Sequence, residues 1–370
     1  MRLLNYILWD VDPSIFKLFG EREVRWYGLL WALSFIIGQQ IMLWVYDKEG
    51  IDKKAAESLT VYMIVSTILG ARLGHCFFYD WDVYSKDLIK IFYIWEGGLA
   101  SHGAAVGIIV GMILYVRKFK PKSFFWLMDR IVIGAALAGA FIRFGNLMNS
   151  EIIGKPNESN YSFAFVKNTE RSLYNTMQLV NDVSYQKSSS DTIVDGFRYP
   201  KAKLIFDINA HSSIANKAVV AKMVETQAFS LLNRIENSPN TEDHHIKLFG
   251  TRPTVTVKKK KSDWEASFDV FLVPRHAGQL YESFSCVILF FILLAIYYKF
   301  KTKTPEGLIF GIFLIYVFGL RIVWETTKEV QVAFEKDMSM NMGQWLSIPF
   351  ITLGLLILIN SLLEKKWFKI

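Results

Sequence analysis

Seven apolar stretches, each long enough to cross a bilayer, constrain the fold of this 370-residue chain more than any other feature. A membrane-spanning helix needs about 20 mostly apolar residues. Such stretches cover roughly 24–46, 58–79, 98–116, 126–148, 280–298, 306–326 and 343–363. Hydrophobic residues make up 52% of the chain, which excludes intrinsic disorder. The sequence therefore predicts an all-α polytopic membrane protein with seven transmembrane helices.

The net charge of +8 and the two cysteines narrow the class of protein further. In a membrane protein, basic residues mark cytoplasmic loops and surfaces that face anionic lipid, so we expect no nucleic-acid partner. Cys76 and Cys286 both lie in apolar stretches, which excludes a disulfide scaffold or a cysteine-rich zinc site. We expect both cysteines to be packing residues.

The distribution of lysine and arginine among the loops predicts the orientation of the chain. Every second loop and the C-terminal tail are basic, whereas the intervening loops have only Lys86 and Lys90, then Lys328 and Lys336. The N-terminus is therefore predicted to be periplasmic and the C-terminus cytoplasmic. Without a cleavable signal peptide, the first span is expected to target the chain. The basic segments contain Lys48, Lys53 and Lys54; Arg117, Lys118, Lys120 and Lys122; Lys299, Lys301 and Lys303; and Lys365, Lys366 and Lys369.

The polar stretch 155–274 contains no span, and we expect it to be a small α+β extracytoplasmic domain inserted between the fourth and fifth spans. Residues 203–208 and 268–273 have the composition of strands, and 213–235 are typical of an amphipathic helix. The membrane domain would then consist of 1–154 and 275–370.

Two polar runs stand out within this insert. We expect Ser188–Ser190 to form a loop. The four lysines from Lys258 to Lys261 are typical of a solvated hairpin tip, and contact with anionic lipid head groups is the alternative.

Ionisable residues inside a span are costly, so each of them is a functional candidate. Arg72, near the end of the second span, is predicted either to pair with Asp80 or Glu96 or to bind a ligand directly. Gly97 and Gly98 precede His102, which fits a bent backbone that lines a cavity. A neutral His102 there would act as a general base, or else be a buried, hydrogen-bonded residue.

The fourth span ends in a dense polar cluster: Arg143, Asn146, Asn149 and Glu151. Arginine suits bidentate phosphate binding, and the two asparagines, three residues apart, share a helix face. Glu151 would orient the arginine or act in acid–base chemistry. Capping of the helix end is the alternative role for the amides and the carboxylate.

Two further clusters lie at the fifth and sixth spans. Gln279 and Glu282 are three residues apart and are expected to face the same cavity as Glu151, while Tyr281 alone would be an interfacial aromatic residue. Arg321 and Glu325 lie one turn apart and are expected to pair partly. Two arginines, a histidine and carboxylates near one membrane face suit an anionic phospholipid. No Ser-His-Asp set, P-loop, zinc motif or haem site is evident.

These motifs resemble those of the prolipoprotein diacylglyceryl transferase family. The resemblance covers about 1–154 and 275–363 and does not extend to the insert. Five positions depart from the family pattern: Ile142 and Ala104 stand where glycine is usual, Leu147 where phenylalanine is usual and Ala277 where proline is usual, and Val317 replaces a tyrosine four residues before Arg321. The matching segments are Tyr27-Gly28, Gly70 to Gly74, Trp95 to Ala104, Ile142 to Gly154, Arg275 to Glu282 and Met342 to Ser347.

The resemblance implies a reaction in the bacterial inner membrane. The sn-1,2-diacylglyceryl group moves from phosphatidylglycerol to the lipobox cysteine of a preprolipoprotein, and glycerol 1-phosphate leaves. The implied partners are phosphatidylglycerol, preprolipoprotein signal peptides and membrane lipids, with no metal and no cofactor. The implied catalytic residues are His102, Arg143, Glu151 and Arg321, and the implied substrate-binding residues are Tyr27, Arg72, Asn146, Asn149, Gln279, Tyr281 and Glu282.

Two other classes of protein fit the same residues. A phospholipid-binding membrane scaffold or transporter would also need an arginine-lined pocket, although the two halves show no convincing repeat of the kind that transporters have. An inactive homologue is the nearer alternative, because Ile142 and Ala104 remove two glycines from the expected site.

Overall fold

The computed structural model describes residues 5–17, 23–94, 97–120, 122–177, 179–209, 216–238, 244–261, 263–329, 335 and 338–363. Seven helices in these ranges are long and apolar enough to span a membrane, as predicted. They are α1 (Trp26–Lys48), α2 (Lys53–Phe78), α4 (Ser101–Phe119), α5 (Phe124–Met148), α8 (Gly278–Phe300), α9 (Leu308–Glu325) and α10 (Met342–Leu362). The shorter helices are α3 (Trp81–Tyr84), α6 (Lys167–Thr176) and α7 (Lys217–Glu236).

The strands form three sheets in the described part of the chain. A parallel pair joins β1 to β4, an antiparallel pair joins β2 to β3, and the largest sheet has the order β5-β6-β9-β7 with β8 paired to β9. Their bounds are β1 (Tyr6–Trp9), β2 (Ser14–Lys17), β3 (Glu23–Arg25), β4 (Ser162–Phe165), β5 (Val180–Val194), β6 (Phe197–Ile208), β7 (Ile246–Lys247), β8 (Thr256–Lys260) and β9 (Asp263–Leu272).

The chain divides into two compact units, each built from three segments. The sheet unit consists of 1–29, 142–283 and 321–345, and therefore contains the polar insert together with the adjoining ends of several membrane helices. The helix unit consists of 30–141, 284–320 and 346–370 and contains most of the membrane-length helices.

Within the helix unit, α2 and α4 pack with their backbones almost in contact. A Cβ atom placed on Gly107 would lie 2.9 Å from the Cα of Gly70, and closer still to the carbonyl oxygen of Ser66. Gly103 faces Gly74 in the same way. Small residues at such spacing allow close approach of membrane helices, where lipid supplies no hydrophobic driving force.

A buried polar network ties other helices of the helix unit together. The Glu49 carboxylate accepts hydrogen bonds from Arg130 at 2.9 and 3.0 Å, and also from Trp126 and Lys122. The side chains of Glu49 and Arg130 are both fully buried. Buried charges are stable only when they are paired and hydrogen-bonded, and this pair meets both conditions. Asp129 accepts the backbone N–H groups of Gly307 and Phe310 and so caps the start of α9.

The sheet unit has an apolar core between its largest sheet and α7. Val220, Val224, Ala228 and Leu232 lie four residues apart along α7 and are all buried in this core. The predicted strands at 203–208 and 268–273 correspond to β6 and β9. The predicted helix at 213–235 corresponds to α7, although residues 213–215 lie outside the described residues.

The prediction of a loop at Ser188–Ser190 is wrong, because these serines lie inside β5. Their side chains are exposed, and they lie in the irregular stretch of the pairing with β6 between Lys187 and Asp191; a second irregularity lies between Val180 and Asp182. The chain reverses later, at Asp195-Gly196, where both residues have positive φ. That conformation is typical of a two-residue hairpin turn, which fixes the register of both strands.

The four-lysine run forms part of a hairpin, as predicted. Lys258 to Lys260 lie in β8 and Lys261 follows it with a φ of 56°. Lys260 pairs with Asp207 at 3.0 Å and with Glu265 at 3.8 Å. Contact of this run with anionic lipid stays a prediction.

We predict that Gly107→Ala destabilises the protein by forcing α2 and α4 apart. Overpacking typically costs about 1–3 kcal/mol. The measurement is the thermal unfolding midpoint of the purified protein in detergent. Gly38→Ala in α1 is the control, because nothing lies within 4 Å of a Cβ at that position. Equal midpoints for the two variants would contradict the close packing.

A second prediction concerns the pH dependence of stability. Burial first, then the nearby Arg275 guanidinium, lower the pKa of His245 to about 3. The unfolded imidazole takes up a proton near pH 6.5, whereas the folded one stays neutral. The contribution of His245 to the free energy of unfolding is therefore fully present above pH 6.5. It is lost as the pH falls below 6.5, by about 1.4 kcal/mol per pH unit.

Thermal unfolding between pH 7.5 and 5.5 measures this loss. We expect His245→Gln to flatten the pH dependence. We expect His244→Gln, at the half-buried neighbouring position, to keep it. Parallel curves for the wild type and His245→Gln would contradict the assignment.

Candidate active site

The fourth membrane helix ends in a strained turn that presents Glu151. Ser150 donates its backbone N–H to the carbonyl of Leu147, and Glu151 donates its own to the carbonyl of Asn146. These two bonds form a Schellman motif, which needs a left-handed residue at its centre. Ser150 (φ 53°) supplies it, and Ile152 (φ 57°) is also left-handed. Left-handed backbone is rare for a β-branched residue, and such strain is often found at functional sites.

Two amides converge on the Glu151 carboxylate. Asn146 donates to one oxygen at 3.3 Å and Asn149 donates to the other at 3.1 Å. Gln279, at the start of α8, donates to the backbone carbonyl of Glu151. The expectation that the asparagines share a face, and that Gln279 lies beside Glu151, is therefore correct.

Three side-chain amide oxygens near Glu151 have no hydrogen-bond donor among the described residues. The side-chain oxygens of Asn146, Asn149 and Gln279 are buried and accept no hydrogen bond from the part of the chain that the structure describes. Buried polar atoms normally have partners, so each exception calls for an explanation. Three such oxygens around one carboxylate suit a ligand with hydroxyl donors.

Beside the amides, five side chains of alternating charge form a continuous series, which we call the charge relay. Arg143 contacts Glu282 at 2.5 Å, Glu282 contacts Lys328 at 2.6 Å, and Lys328 contacts Glu325 at 2.8 Å. Arg321 lies 3.6 Å from Glu325. The expected partial pairing of Arg321 with Glu325 is confirmed.

The carboxylate partner of Arg143 differs from one alternative suggested by the sequence. Glu151 was a candidate to orient Arg143, but Glu282 forms the ion pair, while the oxygens of Glu151 are held by the two asparagines. Spacing along one helix could not reveal this, because Glu282 comes from α8.

The start of α10 supports the far end of the charge relay. Asn341 donates to Glu325 at 3.0 Å, and Gln344 donates to the carbonyl of Ile322. A Cβ on Gly343 would lie 2.8 Å from the carboxyl carbon of Glu325. Glycine is needed at this position because the carboxylate packs directly on its backbone.

Two tyrosines border the cluster. Tyr27 packs against Gly145, where a Cβ would lie 2.9 Å from the tyrosine ring. The Tyr281 hydroxyl lies 3.2 Å from Nδ1 of His276, and its ring lies 5.5 Å from that of Trp324. Burial, and then the nearby Lys155 ammonium, lower the pKa of His276 from its ordinary value.

His102 belongs to the helix unit. It lies in the first turn of α4, is exposed, and stands 5.5 Å from the ring of Phe78 and 5.6 Å from that of Tyr79. Within the described residues no hydrogen bond holds its imidazole.

Arg72 also belongs to the helix unit, and its predicted ion pair with Asp80 is wrong. The guanidinium donates to the backbone carbonyls of Lys90, Ile91 and Gly97, and Asp80 pairs instead with His75 at 2.9 Å. These bonds hold the connection between α2 and α4 in place. The other predicted partner, Glu96, lies outside the described residues, as does Trp95. A direct role for Arg72 in substrate binding stays a prediction.

The sheet unit thus brings together nine of the eleven residues predicted for the site, and it adds Lys328. By its position after the sixth span, Lys328 is predicted only to be a loop charge. A signal was present, since Arg321, Glu325 and Lys328 follow one another at intervals of four and three residues and so share a helical face. The nine residues are Tyr27, Arg143, Asn146, Asn149, Glu151, Gln279, Tyr281, Glu282 and Arg321.

Seven membrane-length helices, with arginines, amides and carboxylates at one set of helix ends, define a polytopic membrane protein whose polar site suits an anionic group. The family model described as prolipoprotein diacylglyceryl transferase matches residues 13–360. The chain belongs to this family, as the sequence motifs indicate.

Individual relatives match over almost their full length. Proteins named phosphatidylglycerol–prolipoprotein diacylglyceryl transferase are 32% identical in Porphyromonas gingivalis and 30% identical in Chloroherpeton thalassium. Each match covers 98% of this chain, and 96% and 97% of the respective relative. A third, from Tolumonas auensis, is 29% identical over 97% of this chain and 99% of the relative.

We predict that Gly343→Ala lowers activity by displacing the Glu325 carboxylate from Arg321, Lys328 and Asn341. A displacement of about 1 Å at a positioned group can cost on the order of 100-fold in rate. The initial rate of the reaction proposed below measures the effect. Gly319→Ala in α9 is the control, because a Cβ there meets nothing within 4 Å. A Gly343→Ala rate equal to that of the control would argue against this support.

Proposed function

We propose that this protein transfers the sn-1,2-diacylglyceryl group of phosphatidylglycerol to the lipobox cysteine of preprolipoproteins, the first step of lipoprotein maturation. Family membership and the names of the relatives support this activity. The observation behind it is local: the sheet unit holds two partly exposed arginines and, in the part of the chain that the structure describes, three buried amide oxygens that accept no hydrogen bond. A phosphate and a glycerol head group need that combination.

The reaction is a displacement at carbon. The cysteine thiol loses its proton to a base, and the sulfur forms a C–S bond with the terminal glyceryl carbon. The bond from that carbon to the phosphate oxygen breaks, and its electron pair leaves with glycerol 1-phosphate. The phosphodiester carries one negative charge, whereas the departing monoester carries two, so catalysis requires positive charge near the leaving phosphate.

Arg143 and Arg321 are the proposed source of that positive charge. Their side chains are 27% and 38% exposed, whereas the glutamates they contact are nearly buried. Each guanidinium therefore has an open side on which to bind phosphate oxygens. Fixed donors that face the developing charge stabilise the transition state without reorganising at the moment of reaction.

The amide cluster is the proposed site for the glycerol head group. Asn146, Asn149 and Gln279 offer oxygens that accept hydrogen bonds from hydroxyl donors. Tyr27 packs beside them through Gly145. A pocket built to satisfy hydroxyl groups discriminates strongly against head groups that lack them.

His102 is the proposed base, and Glu151 is the alternative. Histidine is the side chain that most often accepts a proton in general base catalysis. The Glu151 oxygens already accept hydrogen bonds from two amides, which favours His102 over Glu151 for this step. The arginines would also favour the thiolate by lowering the thiol pKa. We expect no metal or cofactor to take part.

For the cellular setting we propose the bacterial inner membrane, with the N-terminus periplasmic and the C-terminus cytoplasmic. The basic loops support this orientation. The insert at 155–274 would then be extracytoplasmic and lie between membrane parts 1–154 and 275–370. Both substrates are amphiphiles, so we expect them to reach the site laterally from the membrane.

The test is a transfer assay with phosphatidylglycerol labelled in its acyl chains and a lipobox peptide. We expect label on the cysteine peptide and none on its Cys→Ser counterpart. Arg143→Gln should lower the rate about 100- to 1000-fold, as removal of one transition-state donor commonly does. Arg117→Gln, at an exposed arginine in the last turn of α4, should keep the wild-type rate.

A folded wild-type protein that binds phosphatidylglycerol and transfers no label would contradict the proposal and indicate a lipid-binding protein. Equal losses for Arg143→Gln and Arg117→Gln would contradict the role of Arg143.

A further inference from the structure

The middle of the charge relay is buried, whereas the arginines at its two ends are partly exposed. The side chain of Lys328 is 5% exposed, and those of Glu282 and Glu325 are 9% and 11% exposed. The arginines at the two ends are several times more exposed. The parts that can reach a ligand are therefore the terminal arginines, while Lys328 is enclosed between the carboxylates.

Lys328 limits how far each glutamate can neutralise its arginine. Its ammonium contacts one oxygen of Glu282 and one oxygen of Glu325. A bidentate pair between arginine and a carboxylate needs both carboxylate oxygens. At Glu325 the second oxygen is held by Asn341, and Arg321 remains 3.6 Å away.

The count of charges leads to the same conclusion. Three cations and two carboxylates give the charge relay a net charge of +1, which complements a phosphodiester. Without Lys328 the remaining four groups would be neutral in sum, and each glutamate would be free to pair fully with its arginine. A guanidinium that is fully paired with a carboxylate attracts a further anion only weakly.

We propose that Lys328 is a positioning residue that keeps Arg143 and Arg321 open to the substrate phosphate by holding the two carboxylates that would otherwise neutralise them. This rests on the proposed function for its substrate. A compact ammonium suits this place because it can donate to two carboxylates at once as a point charge.

The first test compares Lys328→Met with the wild type. Methionine keeps most of the length and removes the charge. We expect kcat/KM for phosphatidylglycerol to fall about 10- to 100-fold, as expected for a misplaced binding group. Lys155→Met is the matched control. Lys155 donates to the carbonyl of Thr326, two residues before Lys328, and contacts no carboxylate of the relay. Lys155→Met should keep the wild-type kcat/KM for phosphatidylglycerol.

The decisive test restores the charge balance without the lysine. Glu325→Gln added to Lys328→Met returns the sum to +1 and removes the carboxylate that would capture Arg321. Glu282→Gln added to Lys328→Met does the same for Arg143. We expect either double variant to recover at least about tenfold of the lost kcat/KM, because one arginine is released. Each double variant also has one buried carboxylate fewer to compensate after the loss of the lysine, so both should fold even if Lys328→Met does not.

Full activity of Lys328→Met would overturn the inference. The inference would also fail if neither double variant recovered the lost kcat/KM although both had the unfolding midpoint of the wild type. Lys328 would then act only through packing. Equilibrium binding of phosphatidylglycerol in nanodiscs separates this inference from the proposed function. The wild type could bind the lipid without transferring its diacylglyceryl group. In that case, weaker binding by Lys328→Met, restored in the double variants, would still support the positioning role of Lys328.

Discussion

The arrangement of the site depends on how two buried carboxylates share their oxygens among three cations. Glu282 and Glu325 cannot be left unpaired in a nearly dry environment, because an uncompensated buried charge is strongly destabilising. Lys328 satisfies one oxygen of each, and the remaining oxygens fix Arg143 and orient Asn341. One electrostatic unit therefore joins four separate segments of the chain: Arg143, Glu282, Arg321 to Lys328, and Asn341.

The turn after α5 shows a local cost that is offset by contacts from elsewhere. Left-handed backbone at Ser150 and Ile152 costs roughly 1–2 kcal/mol per residue. Glycine at position 150 would lower that cost. The Schellman bonds, the two asparagine amides and the bond from Gln279 together hold Glu151 in place, so the strain is sustained by hydrogen bonds on both sides of the carboxylate. The structure thus gives the closely spaced polar residues of this segment a role beyond simple capping.

Much of the molecule could be predicted from the sequence, because a membrane helix is visible as a long apolar block and intramembrane charges are rare enough to stand out. The seven helices and the polar cluster at the end of α5 can therefore be identified from the sequence alone. The role of Lys328 was missed, since hydropathy treats a charge after a span as a loop residue. Arg72 could not be assigned correctly because its partners are backbone carbonyls, which are the same in every sequence. Ser188–Ser190 lie between residues of β5 that pair with β6 on both sides, and this continuation of the strand overrides the weak local preference of serine for loops. The turn signal was instead Asp195-Gly196.

The parallel pairing of β1 with β4 has a consequence for synthesis of the protein. Tyr6–Trp9 is synthesised before its partner strand Ser162–Phe165, which follows about 150 residues later. At about 5–20 residues per second, the first strand waits roughly 8–30 s with an unpaired edge while four spans enter the membrane. Arg321 and Lys328 follow later still. The charge relay therefore cannot form until Arg321 and Lys328 have been synthesised, and a chain whose translation stops after the insert has no charge relay at all.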